Sequence, residues 1–565
     1  MNDFDVCIIG SGAGASPVAY ELARAGYDVV VLEKGPWFTE QDFYKDELAC
    51  CRRSVYTPNL RDEQHVIEDY AGQDEAGNYR WAAEATSESG WDFWNGNCVG
   101  GSSNFMSGYF YRLKPKDFRL LSEFGPIKDA NVVDWPIAYE DLEPYYTKVE
   151  QVVGISGVVT PHPFAEPRST KGFPYPPTRE HPMSKLIDKA CRSMQLHPLP
   201  TPRAILPHAV GQRRACEYSG FCGSYGCSSG AKGSARAALL NQAVATGKCI
   251  IRAGAKVNQL MTDAKGRISG VKYVDAKGRT KTVKASIYVV ACQAIETARL
   301  LLLSTGPKHP KGLANHYEQV GKNLLFSAGG SGYGEFPYAR FGDELKLRGP
   351  FVNRGLQDWY FIEDRKLGQA KGGTIDFLLR HPNAISRANS VKWDDDGNLV
   401  WGSALKQKLK QTFTEAQSLR FEVFNDWLPT ADCFVSLDNT IKDKWHMPVA
   451  KIRVGYHDHD LVVGEYLTEK AKAVLKQMGA ENISGSVSGS PPPNLVAGGC
   501  RFGDDPRTSV LDKDCRAHGV DNLFVTDGSF MPTGGSVPYT WTIYANAFRV
   551  ADVIRTQLQG REKVL

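Results

Sequence analysis

Two sets of residues in this chain have the types and spacings that chemistry requires. The first runs Gly10, Ser11, Gly12, Ala13, Gly14, Ala15, directly after the apolar run Val6–Ile9, with Glu33 ending a second apolar run about 20 residues on. Gly10 permits a tight turn, Gly12 lets the backbone approach a pyrophosphate, and the small Ala15 lets a helix pack on a strand. The helix start meets phosphates, and Glu33 meets ribose hydroxyls. The chemistry expected here is binding of an adenine dinucleotide. The second set is Cys216, Cys222 and Cys227, in a short loop rich in Gly and Ser. Glycine allows the turns that aim several sulfurs at one centre. Three thiolates leave a cube-shaped cluster one ligand short, so a [3Fe-4S] cluster fits better than a four-iron cluster or a four-ligand zinc. Cysteines without a metal role are the alternative.

The elements that must position the first set can be read locally. Phe4–Ile9 and Asp28–Glu33 read as strands, and Ala13–Ala25 reads as a helix closed by Gly26. Residues 37–89 are polar and irregular and read as a long excursion or lid. Residues 330–450 hold short aromatic and β-branched runs between Gly and Asp turns, with Val391–Trp401 as a hairpin. Residues 461–478 and 540–558 have helical spacing. The chain has 565 residues, 13 cysteines and a net charge of +4 with the two signs interspersed. It is long enough for two or three domains. No basic run points to nucleic acid, and no apolar run reaches the roughly 20 residues that span a bilayer. An odd cysteine count without a leader argues against a disulfide scaffold.

A wider set of blocks carries a resemblance. The glycine fingerprint, the Gly100, Gly101, Ser102, Ser103, Asn104 run ahead of Met106, and Thr526–Thr533 resemble the glucose-methanol-choline (GMC) oxidoreductases. So do Asp134–Ile137 with Tyr139–Tyr146, Tyr288–Leu300 with its Cys292, and Gly321–Leu324. The resemblance spans the chain and implies FAD. It implies an α/β fold, with a Rossmann-like FAD domain built from 1–36, 90–125, 228–328 and 495–565. An α+β substrate domain on an antiparallel sheet would take 126–215 and 329–494, with 37–89 as a lid and 216–227 as the cysteine loop. It implies FAD phosphates on Gly10 to Ala15, ribose on Glu33 beside Lys34, and adenine near Val257. The ribityl chain and ring would lie on Gly100 to Met106, Cys292, Asp527, Gly528, Tyr539 and Thr540. No histidine in Gly101–Asn104 stands where some relatives link FAD covalently, so noncovalent FAD is expected.

The cysteine loop, with Gly230–Lys232 after it, resembles that of the family's FAD-dependent glucose dehydrogenases, although the Cys222 to Cys227 spacing is one residue longer. A cluster there would pass single electrons from a two-electron flavin to a cytochrome-type partner subunit, favouring a dehydrogenase of sugars, glycosides or other alcohols over an oxidase. A small subunit carrying an export signal would allow a periplasmic place; without one the protein would be cytoplasmic.

One departure stands out. The family places histidine and asparagine or histidine, which handle the substrate hydroxyl proton, where this chain has Leu495 and Pro538. Neither side chain can accept a proton. A base supplied by Tyr539, Asn494, His518 or His381, a substrate that is not a simple alcohol, or a flavin-bearing partner-binding protein without catalysis are the three readings left open.

Overall fold

A computed structural model describes the chain apart from residues 1–2, 48–57, 77–78, 94–95, 395–396, 493–494 and 563–565. Five parallel strands form the sheet that organises the first domain, in the order Leu523–Val525, Ala285–Val290, Phe4–Ile9, Val29–Glu33, Cys249–Ala253. Phe4 pairs with Ala285 and Val6 with Val29, so the first strand lies at the centre. Val29–Glu33 is buried along its whole length, which is why it reads as an unbroken apolar run: a parallel sheet is covered on both faces. Helix Ser16–Arg24 follows the first strand; Pro17 sits in its first turn, where a missing N–H costs nothing. Gly26, at φ +91–95 like Gly10, stops it. The helix therefore begins three residues later than its spacing predicts, because residues 12–15 are spent on the turn.

The second domain is an antiparallel sheet in the order Glu481–Val487, Gly330–Pro337, Ala416–Asp426, Gly373–Leu379, Arg354–Leu356, Leu199–Pro200. Ala416–Asp426 alternates in burial over its middle, from Ser418 to Val423, and is buried throughout its last four residues. Leu419, Phe421 and Val423 enter a core shared with Val463, Leu467 and Val474 of helix Asp458–Gln477. The intervening Glu422, Phe424 and Asp426 turn to the opposite face, towards the first domain. Helix Thr540–Glu562 closes the chain and buries Tyr544, Phe548 and Ile554 in the main core.

Two readings change. Residues 37–89 contain a hairpin, Val66–Gln73 with Tyr79–Ala85, and its first strand pairs in parallel with Pro448–Arg453. The pairing is non-local, so the local sequence carries little periodicity. Val391–Trp401 is reduced to a single antiparallel bridge, Trp393 to Leu399, because Val391 belongs to helix Ala384–Val391. Among the described residues no helix is long and apolar enough to cross a membrane.

Candidate functional site

The C-terminal ends of the parallel strands open into a cavity of about 320 Å³ that also borders the antiparallel sheet. At one end the glycine turn is fixed by contacts on both sides. A Cβ on Gly10 would stand 2.2 Å from the Ala291 carbonyl oxygen, and one on Gly14 would stand 2.6 Å from the Asp527 nitrogen. A Cβ on Gly12 would meet nothing within 4 Å, so that backbone is open to a ligand. Ser11 ties three elements together: its Oγ donates to Glu33 Oε2 (2.5 Å) and accepts from the Gly100 N–H (3.0 Å). The other Glu33 oxygen accepts from the Gly35 N–H (2.9 Å). Burial pushes the Glu33 carboxyl up against these bonds.

Gly10, Gly12, Ala13, Gly14, Glu33, Lys34, Val257, Cys292, Asp527 and Gly528 all line this cavity, together with Gly101, Ser102, Ser103 and Met106. Ala15, Gly100 and Asn104 do not. Ala15 is wholly buried against the core, and a Cβ on Gly100 would collide with Arg236 Cβ and Asn104 Nδ2, both at 2.8 Å. The Asn104 amide donates to the Val99 and Gly101 carbonyls at 2.9 and 3.2 Å, holding the loop rather than facing the cavity. Asp527 accepts from the Ser529 N–H at 2.9 Å and from Thr297 Oγ1, and Thr526 Oγ1 donates to Gly14 O at 2.7 Å.

Sequence reasoning missed several residues here. Gln293 caps helix Ala294–Leu303 in a left-handed conformation (φ +76), a strained setting for its side chain. Its Oε1 accepts from the Ile295 N–H, while its buried Nε2 lines the cavity with no partner. Lys256 and Glu296 also line it, paired at 3.2 Å. Burial raises the Glu296 carboxyl, yet Arg299 and Lys256 outweigh it and hold the group well below its ordinary range. An orphaned amide donor, an open glycine backbone and a cationic side chain along one wall fit a dinucleotide's phosphates and heterocycle.

At the far end the wall is made by Leu495, Pro538, Tyr539, Thr540, Met106, Tyr109, Glu422 and Phe424. Leu495 is held at φ +66, which strains a branched apolar residue. Tyr539 is 1% exposed and its hydroxyl has no hydrogen-bond partner. Burial, then the nearby Asp426 carboxylate, push that phenol well above its ordinary range, so it stays protonated, has an O–H to donate and does not serve as a phenolate base. The two histidines offered as bases are elsewhere. His518 Nε2 is bonded to Ser509 Oγ at 3.0 Å, and His381 packs edge-on against Tyr225 with Nδ1 3.4 Å from Gly220 O, in a neighbouring cleft. Asn494 lies outside the described residues.

Cys216, Cys222 and Cys227 surround one small cavity of about 30 Å³. Left-handed Tyr218, Gly220 and Ser224 supply the turns. Their ligand atoms are not grouped as a single-ion set; among the described residues only His162, His197 and Asp358 bring three such atoms within 4.8 Å of one another. In that trio the Phe164 N–H donates to His162 Nδ1 (3.0 Å), which leaves Nε2 protonated towards Asp358 and unable to ligate. In the cysteine loop, burial pushes Cys216 up to about 12, whereas Lys232 outweighs burial at Cys227 and holds that thiol below its usual range. The loop is bolted to the larger cavity: the Ser224 N–H donates to Phe105 O (2.7 Å), and Lys232 Nζ donates to Asn104 O (3.1 Å), Cys222 O (2.9 Å) and Tyr225 O (2.8 Å).

Two family models, both described as GMC oxidoreductase, match residues 82–327 and 429–547. The chain is 31% identical to paromamine 6'-oxidase of Streptomyces fradiae over 99% of its own length and 92% of that protein's. It is 30% identical to 2-methyl-1,2-propanediol dehydrogenase of Mycolicibacterium austroafricanum, covering 97% and 95%. A solved structure of formate oxidase from Aspergillus oryzae superposes with a TM-score of 0.64 at 16% identity, covering 98% of each chain, a likeness of fold.

Proposed function

The chain belongs to the GMC oxidoreductases, and on that premise we propose that this FAD-dependent oxidoreductase is a dehydrogenase of an alcohol or sugar-type substrate that passes electrons through an iron-sulfur cluster to a partner cytochrome. Noncovalent FAD would be held by Gly10 to Gly14, Glu33, Val257, Gly101 to Met106, Gln293 and Asp527–Gly528. When bound it supplies a two-electron hydride acceptor. Leu495, Pro538 and Phe424 exclude water from the substrate end, where an unhydrated hydrogen bond counts for more. The unpartnered Tyr539 hydroxyl donates to the substrate oxygen and orients the carbon to be oxidised. The relatives act, by their names, on paromamine and on a diol, which supports a hydroxyl-bearing substrate here.

The observation that carries the dehydrogenase reading is the contact between the cysteine loop and residues 104–107. Ser224 lines the large cavity, and the Cys222 thiol points at Ser107 O (3.8 Å). An electron leaving that cavity meets three sulfurs next, and a cluster there would split a pair into single electrons for a one-electron acceptor. The partner chain, and export with a small subunit that bears a signal, belong to the same proposal; a cytoplasmic place goes with their absence.

Anaerobic optical and electron paramagnetic resonance spectra of the purified protein test it. A three-iron signal and a flavin that bleaches with an alcohol or sugar are expected. A flavin free of iron that reoxidises rapidly in air with peroxide release would establish an oxidase instead. The apolar pair Leu495 and Pro538 favours a second reading, oxidation of a substrate without a hydroxyl. Its bleaching rate would be flat with pH, because no proton is removed from oxygen.

A further inference from the structure

An alcohol oxidation must dispose of a hydroxyl proton, and at this site the expected imidazole is absent while Tyr539 is held protonated. The opposite wall of the cavity comes from strand Ala416–Asp426, whose alternation sends Glu422 and Phe424 towards the flavin domain. Neighbouring buried carboxylates are all engaged. Asp376 accepts from Tyr111 (2.7 Å) and Thr201 (3.2 Å), Asp426 is paired with Lys371 (3.3 Å), and Asp527 holds Thr297 and Ser529. Glu422 alone among these makes no side-chain hydrogen bond or ion pair with any described residue. A partly buried carboxylate with no protein partner on the wall of this cavity is free for the occupant to use.

We infer that Glu422 is the proton acceptor of the reaction, reaching the substrate hydroxyl from the sheet side of the cavity. The inference rests on the substrate being an alcohol. In the step, the substrate O–H bond breaks and an O–H bond forms on Glu422. The C–H bond on the same carbon breaks with its electron pair passing as hydride to FAD, and the carbon–oxygen bond becomes a carbonyl. The alcohol loses two electrons and FAD gains them.

The groups around Glu422 favour the role. Burial raises its carboxyl towards neutrality, and Arg420, next on the same strand face, opposes this only in part. From strand Gly373–Leu379, Asp376 stands opposite it in register, itself pushed up to about 7 by burial. From strand Gly330–Pro337 the residue opposite is Ser331, which brings no charge. Tyr109 shares the cavity wall and is covered by the Arg203 guanidinium, 4.6 Å from its ring centre. Tyr539, from the C-terminal segment, also lines the cavity. A base poised near the working pH is the efficient one.

The test compares wild type, Glu422→Gln and Glu422→Asp as FAD-loaded proteins under anaerobic conditions. With a donor that bleaches the wild-type flavin, Glu422→Gln should retain its FAD content and slow bleaching by about 100-fold or more, with Glu422→Asp restoring part of the rate. The wild-type rate should rise with pH through an ionisation above the usual carboxylate range, and that limb should vanish in Glu422→Gln. Without any donor, titrating the flavin spectrum between about pH 4 and about pH 9 should show the same ionisation in wild type only. Glu422→Gln bleaching at the wild-type rate and pH dependence would overturn the inference and leave the alcohol reading standing. A wild-type flavin bleached solely by donors without a hydroxyl would overturn both.

Discussion

Tyr539 and Leu495 show how little a residue type decides without its surroundings. A tyrosine is a weak acid anywhere, but here burial and Asp426 remove its capacity to act as a base while leaving its hydroxyl without a hydrogen-bond partner on a residue that lines the cavity. Tyr539→Phe should therefore bind FAD normally and lose substrate orientation, seen as a rate lowered by about 10-fold with its pH profile unmoved. Asp376 makes a different statement. Its folded pKa of about 7 lies above the unfolded value of about 3.9, so the stability it contributes is fully present below about pH 3.9 and is lost as pH rises through about 7. Melting temperature compared between wild type and Asp376→Asn should show the wild type losing ground across that window, while the variant, with no proton to release there, stays flatter. The place of Glu422 is legible in part: Leu419, Phe421 and Val423 recur at every second position, which puts Arg420, Glu422, Phe424 and Asp426 on the other face.

At the scale of elements, the turn between strand Phe4–Ile9 and helix Ser16–Arg24 separates two uses of glycine. Gly14 is a packing glycine, pressed on Thr526 and Asp527; Gly12 is a ligand glycine with open space before it. Gly14→Ala should cost about 1–3 kcal/mol of stability and eject the flavin together with the fold's rigidity there. Gly12→Val should leave the flavin-free protein within about 0.5 kcal/mol of wild type, yet weaken FAD binding severely, since it fills the phosphate approach. Thermal unfolding followed by flavin fluorescence, with and without added FAD, distinguishes the two. The antiparallel strand Ala416–Asp426 serves two masters in the same way, giving Leu419, Phe421 and Val423 to the core and Glu422 and Phe424 to the site.

For the whole molecule, the arrangement that matters is that the cysteine loop abuts the cavity along residues 104–107. Lys232 joins the two, donating to carbonyls on both sides while depressing the Cys227 thiol. Cys222→Ser should abolish the three-iron resonance and slow reduction of a one-electron acceptor while flavin bleaching by the donor continues. Loss of bleaching as well would assign the loop to the fold rather than to electron exit.

The sequence by itself determined the family, the parallel strand with its glycine turn, Glu33 at the end of the second strand, the two long helices, and the absence of imidazole at Leu495 and Pro538. These are local: each rests on spacing within one element, and a resemblance over ordered blocks adds the fold. The tertiary structure alone decided that Ala15, Gly100 and Asn104 serve packing, that His381 and His518 face other neighbours, and that 66–85 pairs with 448–453. It also brought Gln293 and Glu422 to a cavity made by segments hundreds of positions apart. Partners in such pairs are chosen by the close packing of two sheets, and no periodicity in one strand records which cavity its polar face will border.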